Sequence, residues 1–298
     1  MRALAWLLLA PDLLDTHAPQ WNDKIATLPA YLLDGVDEWL QNLDRQPETL
    51  HNYLDLQPFA RLGRYAEKLM AFFLEQKGVL FAHGVQVRAG KNSTIGEFDF
   101  LLWINEQLIH WEFATKFYLL ESSGAGDDAD YFVGPNLADT LGAKMHKILD
   151  RQLLLSTHPA AQIHLPEPVS RAQALVKGWL FYPENELQQT SLFGTSAAHC
   201  RGFWCTLSET MNLGAECYAI LPRLQWLAPA KLPAQQTMDK QELQNYLAEY
   251  FIDDTMPVLV ALLEISGEVA LEASRGFIVP DDWRTRAGQR VKLAHPSV

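Results

Sequence analysis

The stretch GEFDFLLWINEQLIHWEFATKFYLL, from Gly96 to Leu120, constrains the fold more than any other. Two apolar runs flank a short polar segment near Asn105, the pattern of a β-hairpin. Side chains alternate across a strand. Glu97 and Asp99 therefore share one face of the first strand, and His110, Glu112, Ala114, Lys116 and Tyr118 share one face of the second. Trp111, Phe113, Thr115, Phe117 and Leu119 occupy the opposite face of the second strand. Strand interiors rarely hold this many charges. An even-numbered connection such as Ile104–Gln107 places Asp99 directly across from Glu112, with Cβ atoms about 5 Å apart. An odd connection without a bulge sends the two acids to opposite faces. The alternation of polar residues favours the even loop.

Two carboxylates that close repel each other unless a proton or a divalent cation compensates. All-oxygen sites suit magnesium or manganese, and a nearby lysine can stabilise an anion or orient a water. Acids and a lysine on one sheet face are thus the parts of metal-assisted phosphodiester hydrolysis. The plainer alternative is a solvated sheet face with surface ion pairs. Both readings stay open on these residues alone.

Composition narrows the partners. The chain has 298 residues, 48 % hydrophobic and 20 % charged, so it can bury a sizeable core and is neither disordered nor fibrous. A formal net charge of −12 argues against a protein that coats nucleic acid non-specifically, while leaving room for a locally basic cleft. Three cysteines suggest no disulfide framework and fit a reducing cytoplasm. The apolar run Ala3–Ala10 is short and meets Pro11 and Asp12, which favours a buried first helix over a signal peptide. No stretch approaches the ~18 apolar residues of a membrane span.

Around the hairpin, residues 1–58 read as an N-terminal helical segment, with Leu32, Leu33, Val36, Trp39, Leu40 and Leu43 at helical spacing. The next helix presents Leu62, Tyr65, Leu69, Phe72 and Phe73 on one face and stops at Gly78. VLFAHGVQVRA is a strand with a break at Gly84, and GKNST is a turn. After a Gly- and Asp-rich loop, Asn136 is positioned to cap a helix with Asp139 in its first turn. Leu137, Leu141, Met145, Ile148, Gln152 and Leu155 form the stripe of that helix. The second half reads as aromatic-rich strands plus a helix over DKQELQNYLAEYFID, and HLPEPVSRAQ near residues 164–173 is the linker candidate. The mixture predicts an α/β fold in three stretches: 1–58, a core over 59–163, and a β-rich 174–298 that is either separate or continuous with the core.

The order of motifs resembles the PD-(D/E)XK nuclease superfamily. The matching residues are Glu67 in RLGRYAEKL, Asp99 in GEFDF, and Glu112 with Lys116 in HWEFATKFYL. Over the whole chain, KFYL from Lys116, GPN from Gly134, LFYP from Leu180 and SRGFIVP from Ser274 resemble a bacterial family of uncharacterised proteins placed near those nucleases. The superfamily implies a restriction-endonuclease-like core, a mixed sheet flanked by helices, with magnesium or manganese held at Asp99 and Glu112. It further implies that Lys116 stabilises charge or positions water, with Glu67 as auxiliary. Here the acid precedes the lysine by four residues rather than two, and Ala114 stands between them. At ~3.3 Å per residue the Cα atoms of Glu112 and Lys116 are then about 13 Å apart, not about 7 Å. Either Glu112 fills the acid position and Lys116 leans back, or Lys116 keeps its place and Ala114 replaces the acid. A bulge would shorten the gap.

Other candidates divide between site and scaffold. Glu67 serves the site or pairs with Arg64, Glu97 is a surface residue or a ligand, and Gln152 contacts the site or borders the core. Asp127, Asp128 and Asp130 read as a plain acidic loop rather than a calcium site. His199, Cys200, Cys205 and Cys217 lack the spacing of a zinc site. Arg61, Arg64, Lys68, Lys77, Arg88 and Lys91, with Lys144, Lys147 and Arg151, could line a cleft for a phosphate backbone or sit on solvated faces. Three functional expectations follow. The first is a metal-dependent nuclease or phosphodiesterase acting on DNA or RNA. The second is a catalytically inactive nuclease-fold binding or scaffolding protein, and the third an unrelated α/β protein with a solvated hairpin.

Overall fold

A computed structural model describes residues 1–55, 59–90, 93–121, 129–184 and 194–294. Lys91, Asp127 and Asp128 lie outside them. The fold is mixed α/β, with ten strands and eight α-helices among the described residues. The helices α1 (Arg2–Leu9), α2 (Ala30–Leu33), α3 (Val36–Arg45), α4 (Glu48–Leu54) and α5 (Leu62–Gln76) lead into β1 (Leu80–Gly90), β2 (Ser93–Ile104) and β3 (Gln107–Leu120). Then come β4 (Phe132–Val133), α6 (Leu141–Lys147), β5 (Arg171–Pro183), β6 (Cys200–Thr206), β7 (Cys217–Ile220) and β8 (Lys231–Pro233). The chain ends with α7 (Lys240–Asp253), β9 (Val258–Ser266), β10 (Val269–Val279) and α8 (Trp283–Ala294).

The strand order is β1-β2-β3-β5-β6-β10-β9-β7, with β4 beside β3 and β8 beside β10. β6 runs parallel to both β5 and β10, whereas β1–β2, β2–β3 and β9–β10 are antiparallel. Two compact units divide the chain. One holds residues 1–116, 145–178 and 194–199, and the other 117–144, 179–193 and 200–298. The division falls inside β3 and inside β5. The 1–58 segment and the first strands thus belong to the same unit.

In that first unit, α5 buries Leu62, Leu69, Phe72 and Phe73 as its spacing predicts. Trp39 of α3 and Tyr53 of α4 pack edge-on or tilted against those phenylalanines. Each fully buried aromatic of this kind contributes about 1.5–3 kcal/mol. β1 does not break at Gly84. The glycine takes φ +63° and the strand continues through it, while the register slips instead at Leu80/Ala82 and around Arg88.

The hairpin forms with the even loop. Ile104 pairs with Gln107, and Asn105 and Glu106 both sit in the left-handed region, the two-residue turn whose twist matches the strands. The pairs run on through Leu101↔His110 to Phe100↔Trp111.

Three local readings need correction. Asn136 does not cap a helix. Its side chain accepts from Ala138 N–H in a tight turn, and Leu137 lies at φ +58° outside any helix. The helix starts at Leu141, where the Thr140 hydroxyl and the Asp130 carboxylate both accept from Ala143 N–H. Asp130 is therefore a cap rather than part of a free acidic loop, and Asp139 accepts from the Tyr118 hydroxyl. Residues 164–173 are not a linker between domains. Glu167 accepts from Leu108 N–H, and Ser170 donates through N–H and hydroxyl to the Leu108 carbonyl, which ties the segment to the start of β3. Past α6 the chain passes through a π turn (Ile148–Gln152) and two 3-10 turns, Leu153–Thr157 and Pro159–His164. The predicted stripe of Met145, Ile148 and Leu155 is buried.

In the second unit, Asp239 and Glu242 form a capping box on α7. Leu243 and Leu247 of that helix pack with Val260 and Ile278. Gly276 lies flat against the Phe203 ring, so any side chain there would overlap it.

Candidate metal centre

Asp99 sits where the regular pairing of β2 with β3 ends. Continuing the register by one places it across from Glu112, and the Phe113 N–H donates to Asp99 Oδ2 at 2.9 Å. A side chain thus takes a ladder hydrogen bond that a carbonyl would otherwise accept. Glu97, two residues earlier, shares its face. Glu67 arrives from α5. One carboxylate oxygen each from Glu67, Glu97 and Asp99 lies within 4.8 Å of the others, and among the described residues this is the single such group of potential ligands. At an effective dielectric near 20, each ionised pair at that distance costs about 3 kcal/mol.

The electrostatics follow from this geometry. Burial, reinforced by Glu112 and Glu97, pushes the Asp99 carboxyl up to about 7. Burial and then Asp99 push Glu67 up to about 7, while Arg64 pulls it down. Arg64 reaches Glu97 at 4.0 Å from an exposed position. The expected Arg64 partnership is therefore with Glu97, and Glu67 faces the acids.

Glu112 is held from behind. Only 2 % of it is exposed. Its Oε1 lies 3.1 Å from His110 Nε2 and its Oε2 accepts from Gln152 Nε2 at 2.5 Å. Burial pushes the His110 imidazole down to about 4. That shift favours the neutral ring, and a hydrogen on Nε2 would let it donate to Glu112. These charges do not lie on a solvated sheet face: His110 is fully buried and Asp99 half-buried. Sequence reasoning underweighted Glu97 and Gln152. The signal for Glu97 was its face-sharing with Asp99, and for Gln152 an amide on an apolar stripe.

Lys116 stands four residues along β3 from Glu112, half-buried, with buried Ala114 between them. A side chain on Gly178 would overlap the Lys116 backbone, so the neighbouring strand approaches closely at that point. The other basic candidates are largely committed elsewhere. Lys68 lies over the Tyr53 ring, Lys77 donates to the Asp34 carbonyl, and Arg88 donates to Gln86. His199 Nδ1 contacts the Ser196 carbonyl, and the three cysteines are unbridged. No helix among the described residues is long and apolar enough to cross a membrane.

The model of a family described as a domain of unknown function, DUF1853, matches residues 2–279. The chain belongs to that family. No curated protein and no solved structure matches it. The match carries no link to the PD-(D/E)XK superfamily. In this DUF1853 chain the segments quoted for the whole-chain resemblance take structural places. KFYL lies in β3, LFYP in β5 and SRGFIV of SRGFIVP at the end of β10, while GPN forms the turn in which Gly134 N–H bonds the Asp139 carbonyl.

Three carboxylates on two elements form an all-oxygen donor set, which fits a hard divalent cation of the magnesium or manganese kind. The shared protonation of Glu67 and Asp99 near neutrality is what such a cation would displace.

Proposed function

We propose that this chain is a magnesium- or manganese-dependent phosphodiesterase acting on nucleic acid, of the PD-(D/E)XK kind that its motif order resembles. One observation carries the reading: Glu67, Glu97 and Asp99 converge from a helix and a strand, with Glu112 close enough to raise the Asp99 carboxyl. The element order supports it as well, with a glutamate-bearing helix, a strand, an acid-bearing hairpin and a further helix. Asp99 would hold the cation with Glu67 and Glu97. Glu112, gripped by His110 and Gln152, would fix Asp99 and complete the negative field. Lys116 would steady the phosphate anion or the attacking water. A bound divalent cation supplies charge neutralisation and a more acidic water.

The test is cleavage of single- and double-stranded DNA and RNA with magnesium or manganese. Asp99→Asn is expected to lower the rate at least about 100-fold, the scale of losing one charge-stabilising group. Cleavage that survives both Asp99→Asn and Lys116→Met removes the site assignment.

A specific feature favours a second reading, a catalytically inactive binding or scaffolding module. Ala114 occupies the position between acid and lysine, and both Glu112 oxygens already have hydrogen-bond partners. Calorimetry with manganese separates the two: binding lost in Asp99→Asn supports the phosphodiesterase, and no binding supports the module.

A further inference from the structure

Beside the acidic cluster, within the same unit, lies a groove of about 690 Å³, inside the range of ligand clefts. Glu97 and Gln152 line it, so it opens onto the cluster and onto the residue that holds Glu112. Lys147, the last residue of α6, and Arg151 of the π turn also line it, four residues apart and both exposed, and neither has a carboxylate partner among the described residues. Both side chains therefore bring positive charge to the same groove, where successive phosphates of one strand can meet them. Leu154, exposed at 51 %, and Ile95, at 36 %, add apolar surface that water gains nothing from covering. Asp150, the other acid of the lining, is engaged with His146.

The recess and its apolar lining select against a duplex, while the two cations serve any phosphate backbone. A duplex presents phosphates as an outer ridge and keeps its bases stacked inside. A recess with apolar walls and two cations at its rim takes an unpaired base inward and the flanking phosphates outside. On a chain of net charge −12, two unpaired cations beside a carboxylate cluster also give the anion a defined place to land.

We infer that this groove binds single-stranded nucleic acid, with one unpaired nucleotide in the recess and the adjoining phosphates on Lys147 and Arg151. Its use in catalysis rests on the phosphodiesterase reading, and its binding does not.

The test is fluorescence anisotropy in EDTA, using labelled 12-residue oligo(dT), oligo(U) and a blunt DNA duplex of the same length. The single strands bind at least about tenfold tighter than the duplex. Lys147→Ala with Arg151→Ala weakens them about tenfold or more and flattens the salt dependence by about 1.4, at ~0.7 for each phosphate no longer neutralised. Ile95→Ala with Leu154→Ala weakens binding without changing that slope. A preference between oligo(dT) and oligo(U) tells which strand is taken. Equal affinity for the duplex, undetectable binding, or binding unmoved by the Lys147/Arg151 pair overturns the inference. Groove-dependent binding with no cleavage removes the phosphodiesterase reading and leaves the groove. Asp99-dependent cleavage with binding indifferent to Lys147 and Arg151 does the reverse.

Discussion

Arg275 on β10 and Asp99 on β2 are both ionisable groups withdrawn from water within a strand, but their surroundings answer the charge differently. Arg275 is fully buried, and its guanidinium is matched on every side. It donates to both oxygens of Glu272, at 2.6 and 2.8 Å, and to the Trp226 and Ala228 carbonyls, and it lies 4.3 Å from the centre of the Trp179 ring. Glu272 in turn accepts from Ala230 N–H. An opposite charge and neutral dipoles compensate the buried cation there. Around Asp99 the near neighbours are carboxylates, and the result is two acids whose protons leave only near pH 7. A satisfied buried ion is scaffold. A crowd of like charges works against the free fold, and the proposed cation site rests on that difference.

The largest expected effect falls on the scaffold side. Arg275→Ala leaves Glu272 buried without its cation and two carbonyls without a donor, and should cost about 3–5 kcal/mol in urea unfolding. Asp99→Asn should go the other way. The folded-state affinity of Asp99 and Glu67 for protons is raised, so the metal-free native state is favoured in acid. That stability is lost as pH rises from about 4, the ordinary carboxylate range, through about 7. Replacing Asp99 removes a group whose cost builds up across that window and is complete above it. The variant should therefore be more stable than the parent by about 1–2 kcal/mol at pH 8, with little difference at pH 4. Millimolar magnesium or manganese should raise the parent's Tm at pH 8 and leave the variant's unchanged. A destabilised Asp99→Asn at pH 8 would place Asp99 on the scaffold side with Arg275.

How far the sequence could reach follows from the range of the interactions. The hairpin and its even turn were readable, because alternation and turn length act within a few residues. The stripe of Met145, Ile148 and Leu155 was readable for the same reason. The Asn136 cap failed because Thr140, with Asp130 from ten residues upstream, offered a better acceptor for Ala143. The supposed linker failed because its clamp to Leu108 spans about sixty residues. At the site, the shared face of Glu97 and Asp99 was visible from alternation alone. The approach of Glu67, and the grip of Gln152 on Glu112, depend on how α5 and the π turn pack, which no local pattern encodes.

Gln152→Ala sharpens the comparison at intermediate size. It removes the donor to Glu112 Oε2 and should cost about 1–2 kcal/mol, the penalty of an unsatisfied buried acceptor. A cost that falls when magnesium or manganese is present would place Glu112 in the cation's shell. A cost indifferent to the cation keeps it as a support.

The smallest change in stability belongs to Arg64→Ala. The Arg64–Glu97 pair is 4.0 Å apart, and Arg64 is 62 % exposed, so its loss should cost less than about 0.5 kcal/mol. Its electrostatic effect is of another kind. Arg64 opposes the rise of Glu67, so removing it lifts the Glu67 carboxyl further. A cation must displace that proton, and its stabilisation of the fold should then set in at higher pH than in the parent. Tm measured with and without manganese from pH 6 to 9 reads this directly. An upward shift of the onset at nearly constant metal-free Tm ties Glu67 to the cation. An unmoved onset confines Arg64 to an ordinary surface pair and takes Glu67 out of the site.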